Sequence, residues 1–354
     1  MSNTTEAINQ LNTATTTIGL ILSLINFPPG AVGLIFNVLV FTRPVLNRQP
    51  CSFYFLISTL FNLFVVFIIL PVRIVSSSLN LDLANYNLGI CKTEFYSFYV
   101  VRVVSIWLIL LACIDRYFHS SSNIKLRRLS SLKMARISSS VLTLLMIVIY
   151  SHMIVYFEIA NVTSQTGQVT QTCNARKGTY RSFSASWHMT LYSLCPSSLM
   201  LLFGILTVGN IHQHRRIIPT HSDSNQRRNR RTDTQLLRML IIQVLFIIVS
   251  TMPSSAIRLY SSFTATTTKN AFQTAQENLA TQLCNSLSYF AHSTSFYLYT
   301  LTGSLFRTEL TKIVGPCFHC RPNFIETSGT GQNQISLNPI NQQRNTAVLV
   351  IDHQ

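Results

Sequence analysis

The sequence predicts an all-α membrane protein, a seven-transmembrane helix bundle with a short amphipathic eighth helix. Two observations predict this fold: the chain carries little charge, and seven long stretches of it carry almost none. Only 11% of the 354 residues are charged and 48% are apolar, whereas a soluble domain has about 25% charged residues. This number of charged residues is too small to cover the surface of a soluble protein of this size. Composition alone therefore favours a membrane protein.

The seven apolar stretches are each long enough to cross a bilayer as a helix. A crossing needs about 20 mostly apolar residues, because a helix rises about 1.5 Å per residue and the hydrocarbon core is about 30 Å thick. The predicted spans are residues 18–41, 51–72, 95–114, 137–157, 182–211, 239–257 and 278–305. The third span contains one charged residue, Arg102, and the other six contain no Asp, Glu, Lys or Arg.

Basic residues predict the orientation of the bundle. Most of the 27 Lys and Arg residues fall on one side of the membrane if the N-terminus is outside. We expect a multi-pass protein of the plasma membrane. Because positive charge is enriched on the cytoplasmic side, its N-terminus should be outside and its C-terminus cytoplasmic. The basic block 227–231 could suggest nucleic acid. Beside a span it is more typical of a contact with anionic membrane lipid, so we expect lipid and no nucleic acid as a partner.

The spans divide the chain into four predicted regions. Residues 1–17 form a short extracellular segment, 18–305 the bundle, 306–320 the eighth helix and 321–354 a polar, disordered cytoplasmic tail. Asn3 and Asn161 begin Asn-x-Thr tripeptides that this topology places outside. Both are therefore candidate glycosylation sites, although such tripeptides also arise by chance.

The tripeptide Asp115-Arg116-Tyr117 closes the third span. Cys91 lies 25 residues before Arg116, which is about 37 Å along a helix, so the two mark opposite faces of the membrane. The chain resembles the rhodopsin-like (class A) G-protein-coupled receptors, over roughly residues 18–320. Further positions that match the family are Asn37 in span one, Pro196 in span five, Pro253 in span six, Tyr299 in span seven and Phe306 at the start of the eighth helix.

The resemblance implies a receptor that binds an extracellular ligand and activates a heterotrimeric G protein. It strengthens the expectation that Cys91 and Cys173, both in the oxidising outer compartment, form a disulfide rather than two thiols. Ile124 matches the apolar position that family members insert into the G protein, although it could also be an ordinary loop residue. Cys317 and Cys320, just beyond the last span, are either palmitoylated or free thiols.

Charge alone predicts a partner for Arg116. A guanidinium close to hydrocarbon is costly, so it needs an acidic partner. Asp115 is adjacent, and Asp233 lies 20 residues before Pro253, hence at the inner end of span six. An Arg116–Asp233 pair would hold spans three and six together, as the ionic lock does in some family members. The alternative is that Asp233 is a solvated acid in a basic loop.

Several positions depart from the family pattern. Asn62 stands where a sodium-binding Asp is usual, and Ser295-Phe296 replaces Asn-Pro in span seven. Span six has Thr251 in place of a Trp, span five has Gly204 in place of an activating Tyr, and span four lacks its Trp. These losses predict little or no sodium inhibition and allow a weakly coupled or decoy receptor.

By the family's geometry, ligands enter between the outer halves of spans three, five, six and seven. Phe98 occupies the position of the amine-binding Asp and Tyr289 that of the retinal Lys, so we expect neither an amine nor retinal as the ligand. The candidate ligand-binding residues are Arg73, Glu94, Phe98, Arg102, His188, Tyr192, Arg258 and Tyr289. Arg102 should face the bundle interior, where it either receives an acidic group of the ligand or is an internally hydrogen-bonded arginine.

A small peptide is the leading ligand class, because Pro71 lies near the outer end of span two as in many peptide receptors. The main alternative is a seven-span transporter or ion pathway. No internal repeat is visible and the span centres carry no acids, which disfavours ion coupling. The sequence also contains no His-Glu-x-x-His, Gly-x-Ser-x-Gly or phosphate-cradling loop, so we expect no enzyme, cofactor or metal.

Overall fold

Six helices in the described part of the chain are long and apolar enough to cross a membrane. They are Thr5–Phe41, Pro50–Ser76, Leu88–Ser120, Leu132–Tyr156, Thr179–Gln213 and Thr234–Phe263, numbered here as spans one to six. Span seven comprises Ala271–Ser293 and Ser295–Thr302, and it packs against spans one and six. The helix Ser304–Phe318 follows it. The predicted seven-helix bundle with an eighth helix is therefore confirmed.

This architecture comes from a computed structural model that describes residues 2–79, 82–163, 169–217, 224–264, 267 and 269–318. Within these ranges, the side chains of residues 2–4, 77–79, 162–163, 169–170, 214–217, 224–233 and 316–318 are not described. The tail predicted for 321–354 lies outside the described residues.

The helices extend beyond the apolar stretches that predicted them. Their bounds are Ser2–Phe41, Pro50–Phe64 continued by Leu70–Leu79, Leu88–Ser120, Leu132–Tyr150 continued by His152–Tyr156, Thr179–Met189 continued by Cys195–Ile217, and Ser224–Phe263. Shorter helices are Pro44–Asn47, Leu83–Asn85 and Ile124–Leu129. Hydropathy detects only the part that suits hydrocarbon, whereas polar residues continue the same helix into water. The first helix thus begins at Ser2, within the segment predicted as residues 1–17.

Two spans contain a wide turn just before a proline. Val65–Ile69 in span two and Thr190–Leu194 in span five are π-helical, and they precede Pro71 and Pro196. Proline removes one backbone donor and its ring clashes with the carbonyl four residues earlier, so the helix widens there. In span five the widened turn carries Tyr192.

A β-hairpin connects spans four and five, an element that the sequence did not predict. Strand β1, Phe157–Thr163, pairs antiparallel with β2, Val169–Ala175, and Ile159 lies opposite Cys173. Cys173 is bonded to Cys91 at the start of span three, which confirms the predicted disulfide. We call this end of the bundle the disulfide end, and the end that carries Asp115–Tyr117 the motif end.

Close packing joins spans one and seven along their length. A Cβ atom at Gly33 would lie 2.9 Å from the Cβ of Phe296, so only glycine permits this approach. Nearer the motif end, the rings of Phe41 and Tyr299 lie 5.5 Å apart, and the ring of Phe306 lies 5.6 Å from Phe41. This aromatic contact fixes the eighth helix against the bundle.

Candidate functional site

A cavity of about 290 Å³ lies among spans one, two, three, six and seven. On span three its lining runs from Phe95 to Arg102, in the half nearer Cys91 and the disulfide end. Five of the eight predicted ligand-binding residues line it: Arg73, Phe98, Arg102, Arg258 and Tyr289. The rest of the lining consists of Ser23, Ser76, Phe95, Tyr99, Gln282, Asn285 and Ser286.

Arg102 forms the innermost part of this cavity on span three. Its side chain is only 7% exposed and faces the bundle interior, as the sequence predicted. Nη2 donates to the hydroxyls of Tyr192, at 3.0 Å, and Ser288. The guanidinium carbon lies 4.9 Å from the ring centre of Tyr192 and 5.0 Å from that of Tyr289. These contacts are those of an internally hydrogen-bonded arginine, since hydroxyls and ring faces compensate part of the cost of burial.

The other two arginines of the cavity have different partners. Arg73 lies 3.7 Å from a carboxylate oxygen of Glu94, and its guanidinium lies over the ring of Phe98 at 5.3 Å. Arg258 donates to the hydroxyl of Tyr99 at 2.8 Å and to Oδ1 of Asn285 at 3.1 Å. Arg73 therefore has an acidic partner, whereas Arg258 has neutral ones.

Three predicted ligand-binding residues, Glu94, His188 and Tyr192, do not line the cavity. Glu94 lies beside it as the partner of Arg73. His188 is buried, with its ring 4.5 Å from that of Tyr99 and 4.8 Å from that of Tyr192. These packed rings of span five take up the volume where a ligand space was expected, so the cavity opens instead toward spans one and two.

A chain of hydrogen bonds leads from the cavity into the bundle. The hydroxyl of Tyr192 lies 3.0 Å from Nε2 of His292, and Nδ1 of His292 lies 2.9 Å from Oδ1 of Asn62. Asn62 also accepts from the hydroxyl of Ser105 at 2.5 Å. Tyr192 is a predicted ligand-binding residue, but the sequence gave no sign of this chain, because its partners are far apart in sequence and Ser105 and Ser288 carry no motif.

At the motif end, Arg116 is buried against Asp115. Nη2 of Arg116 lies 2.9 Å from Oδ2 of Asp115, whose Oδ1 accepts from the hydroxyl of Ser130 at 2.7 Å. Asp233 belongs to the helix Ser224–Phe263, but its side chain lies outside the described part, so its pairing with Arg116 stays a prediction. The ring of Tyr117 packs 5.6 Å from that of Phe203.

A profile of the family "7 transmembrane receptor (rhodopsin family)" matches residues 34–294, more than half of the chain. The chain belongs to the rhodopsin family of receptors. It is therefore a class A G-protein-coupled receptor and a multi-pass membrane protein. Members of this family are receptors rather than enzymes. No curated protein matches the chain in a sequence comparison.

The receptor keeps contacts at its altered span-seven motif. Tyr299 is buried and its hydroxyl donates to Oε1 of Gln243 on span six. Nδ2 of Asn37 donates at 3.0 Å to the hydroxyl of Ser295, which stands where the family has Asn. The helix is interrupted at Thr294 although no proline follows it. The break in the helix is therefore present although Phe296 stands in the place of the family's proline.

The structure describes some of the positions that the sequence predicted for coupling, glycosylation and palmitoylation. Ile124 begins the helix Ile124–Leu129 and is 70% exposed at the motif end. Asn161 is exposed on strand β1. Asn3 and Cys317 lie in helices, with their side chains outside the described part, and Cys320 lies wholly outside it. Glycosylation at Asn3 and Asn161 and palmitoylation at Cys317 and Cys320 therefore stay predictions.

Proposed function

We propose that this receptor binds an extracellular ligand in the cavity at the disulfide end and activates a heterotrimeric G protein at the motif end. The observation that supports this most is the course of span three, which carries Arg102 into the cavity and Arg116 at the opposite end. One rigid helix thus touches both sites, so a ligand that prefers one position of it can change the other site.

The proposed orientation places the disulfide end outside and both the motif end and the C-terminus in the cytoplasm. A stable disulfide such as Cys91–Cys173 needs an oxidising compartment. Basic residues accumulate at the motif end, where Arg127 and Arg128 lie in the last turn of the helix Ile124–Leu129. Both observations support this orientation, and the plasma membrane is the location that we propose.

A small peptide is the ligand class that we propose for the cavity. Its lining offers amides at Gln282 and Asn285 and rings at Phe95 and Phe98, beside three guanidinium groups. Peptides present backbone amides, apolar side chains and charged ends, which suit such a mixed lining. Pro71 near the outer end of span two, as in many peptide receptors, supports the same class.

At the motif end, the exposed Ile124 and the buried Asp115–Arg116 pair support coupling to a G protein. Movement of span six away from span three would uncover Arg116, and the predicted contact with Asp233 would oppose that movement. The polar chain through Tyr192, His292 and Asn62 links Arg102 to spans five, seven and two, so we propose it as a means by which a ligand on Arg102 would change the packing of the spans.

The test is ligand-dependent nucleotide exchange. Membranes of cells that express the full chain with promiscuous G proteins are screened with peptide and carboxylate libraries, and GTP-analogue binding is measured. We expect a response that Arg102→Ala abolishes and that Arg176→Ala keeps. Arg176 is the matched control because it is an exposed arginine beyond strand β2, 4.0 Å from Glu158.

A weakly coupled or decoy receptor is the second candidate, favoured by Thr251 and by Ser295-Phe296 in the activation motifs. It predicts ligands that bind the receptor without nucleotide exchange. Substrate flux across vesicles in the absence of G protein would contradict both receptor hypotheses.

A further inference from the structure

The charge of the cavity is unbalanced. Three arginines line it, and none of its described lining residues is an Asp or Glu. Glu94, beside the cavity, partners Arg73. Arg102 and Arg258 form no ion pair with a carboxylate in the part of the chain that the structure describes. Two positive charges therefore face the same space with neutral partners.

Arg102 retains hydrogen-bonding capacity that its neighbours do not use. Both hydroxyl contacts of Arg102 are made by Nη2. The buried Nε of the same guanidinium has no hydrogen-bond partner among the described residues. A buried guanidinium is stable only when its charge and its donors are matched, and hydroxyls supply dipoles but no opposite charge. An anion beside Arg102 would provide both.

Arg258 on span six contributes the second contact to the cavity. Its two Nη atoms donate to Tyr99 and Asn285, which are neutral. Tyr99 and Asn285 also line the cavity, so they hold the guanidinium at its wall. Arginine recognises carboxylates particularly well, because its planar donors match two oxygens at once.

We propose that the ligand of this cavity carries a carboxylate group, which binds Arg102 and Arg258. The inference rests on the proposed function, in which this cavity takes the ligand. The volume of about 290 Å³ is at the lower limit of ligand sites, about 300–1,000 Å³. It suits a small organic acid or one carboxylate end of a peptide, and both sources present the same chemistry to the arginines.

The test measures binding without any G protein. The full-length receptor is purified, and its midpoint of thermal unfolding is measured with short mono- and dicarboxylates, each paired with its neutral amide. A second set comprises short peptides with a free C-terminal carboxylate, each paired with the amidated peptide. A ligand that binds only the folded state raises the midpoint, and the stabilisation grows with the logarithm of one plus the ratio of ligand concentration to dissociation constant.

We expect at least one acid to raise the midpoint while its amide does not. Arg102→Gln and Arg258→Gln should each raise the half-saturating concentration about tenfold or more, because each loses a charge-assisted contact. Arg176→Gln, the matched arginine outside the cavity, should leave it unchanged. Stabilisation by the free acids identifies a small organic acid as the source, and stabilisation by the peptide acids alone identifies a peptide end.

Arg258→Gln keeps the test decisive if Arg102→Gln fails to fold, because Arg258 is only half-buried. Equal stabilisation by acids and amides would overturn the proposal, as would unchanged affinity in the arginine variants or the failure of every acid probe. A neutral ligand that drives nucleotide exchange would support the receptor function and overturn the proposal that the ligand carries a carboxylate. An acid that binds without nucleotide exchange would support the carboxylate proposal and overturn the proposed activation of a G protein, in favour of the decoy receptor.

Discussion

Nδ1 of His292 on span seven lies 2.9 Å from Oδ1 of Asn62 on span two, at the position where the family usually carries a sodium-binding Asp. An amide oxygen only accepts hydrogen bonds, so Nδ1 carries the proton and Nε2 accepts from the hydroxyl of Tyr192. Ser105 supplies a second donor to the same oxygen. Donors thus occupy the group that would otherwise face a cation.

This arrangement predicts that sodium does not act on the receptor. Asn62 carries no negative charge, and its oxygen is engaged by two donors, so a sodium ion finds little compensation for its lost water. Replacing potassium by sodium at constant ionic strength should leave both the thermal midpoint and agonist affinity unchanged. A sodium effect that Asn62→Ala abolishes would contradict this.

Loss of Asp233 should raise signalling without ligand. If Asp233 pairs with Arg116, Asp233→Ala removes a contact that holds the inner ends of spans three and six together, and the open state gains population. The measurement is basal nucleotide exchange normalised to surface expression. Unchanged basal activity in a well-expressed Asp233→Ala receptor would contradict the pairing and show that Asp233 is a solvated acid.

Ile124→Ala should weaken coupling to the G protein and leave ligand binding intact. The side chain is 70% exposed, and its burial against a partner would contribute about 1.5–3 kcal/mol. The maximal rate of ligand-stimulated nucleotide exchange should therefore fall. Leu129→Ala is the matched control, because Leu129 is exposed on another face of the same short helix. An equal loss in both variants would argue against a specific role of Ile124.

The disulfide should stabilise the disulfide end of the bundle. The bridge closes a loop with a sequence separation of 82 residues, and such bridges contribute about 2–4 kcal/mol. The double variant Cys91→Ser, Cys173→Ser should unfold at a lower temperature. Cys284→Ser, which removes a half-buried thiol outside the bridge, should unfold close to the wild-type temperature. A double variant as stable as Cys284→Ser would contradict the prediction.

Tyr299→Phe should destabilise the contact between spans six and seven. The change leaves the buried Oε1 of Gln243 without its donor, which costs about 1–3 kcal/mol. A lower thermal midpoint is expected, whereas Tyr86→Phe, at an exposed tyrosine, should change little. Equal midpoints for the two variants would show that the Tyr299 hydroxyl contributes no net stability.

The sequence by itself determined the seven-helix bundle, the family and the interior position of Arg102. Long uncharged stretches leave a chain in lipid no alternative to helices, and a lone guanidinium within one of them must avoid lipid. The pairing of Cys91 with Cys173 could also be predicted, since both fall on the oxidising side.

Only the tertiary structure decided which helices border the cavity and which residues partner Arg102. Span five fills its share of the interior with His188 and Tyr192, so the cavity lies among spans one, two, three, six and seven. Ser288 and Asn62 join the polar chain because distant spans meet there. Hydropathy and spacing act along the chain, whereas such contacts depend on the rotation and approach of whole helices, which packing alone sets.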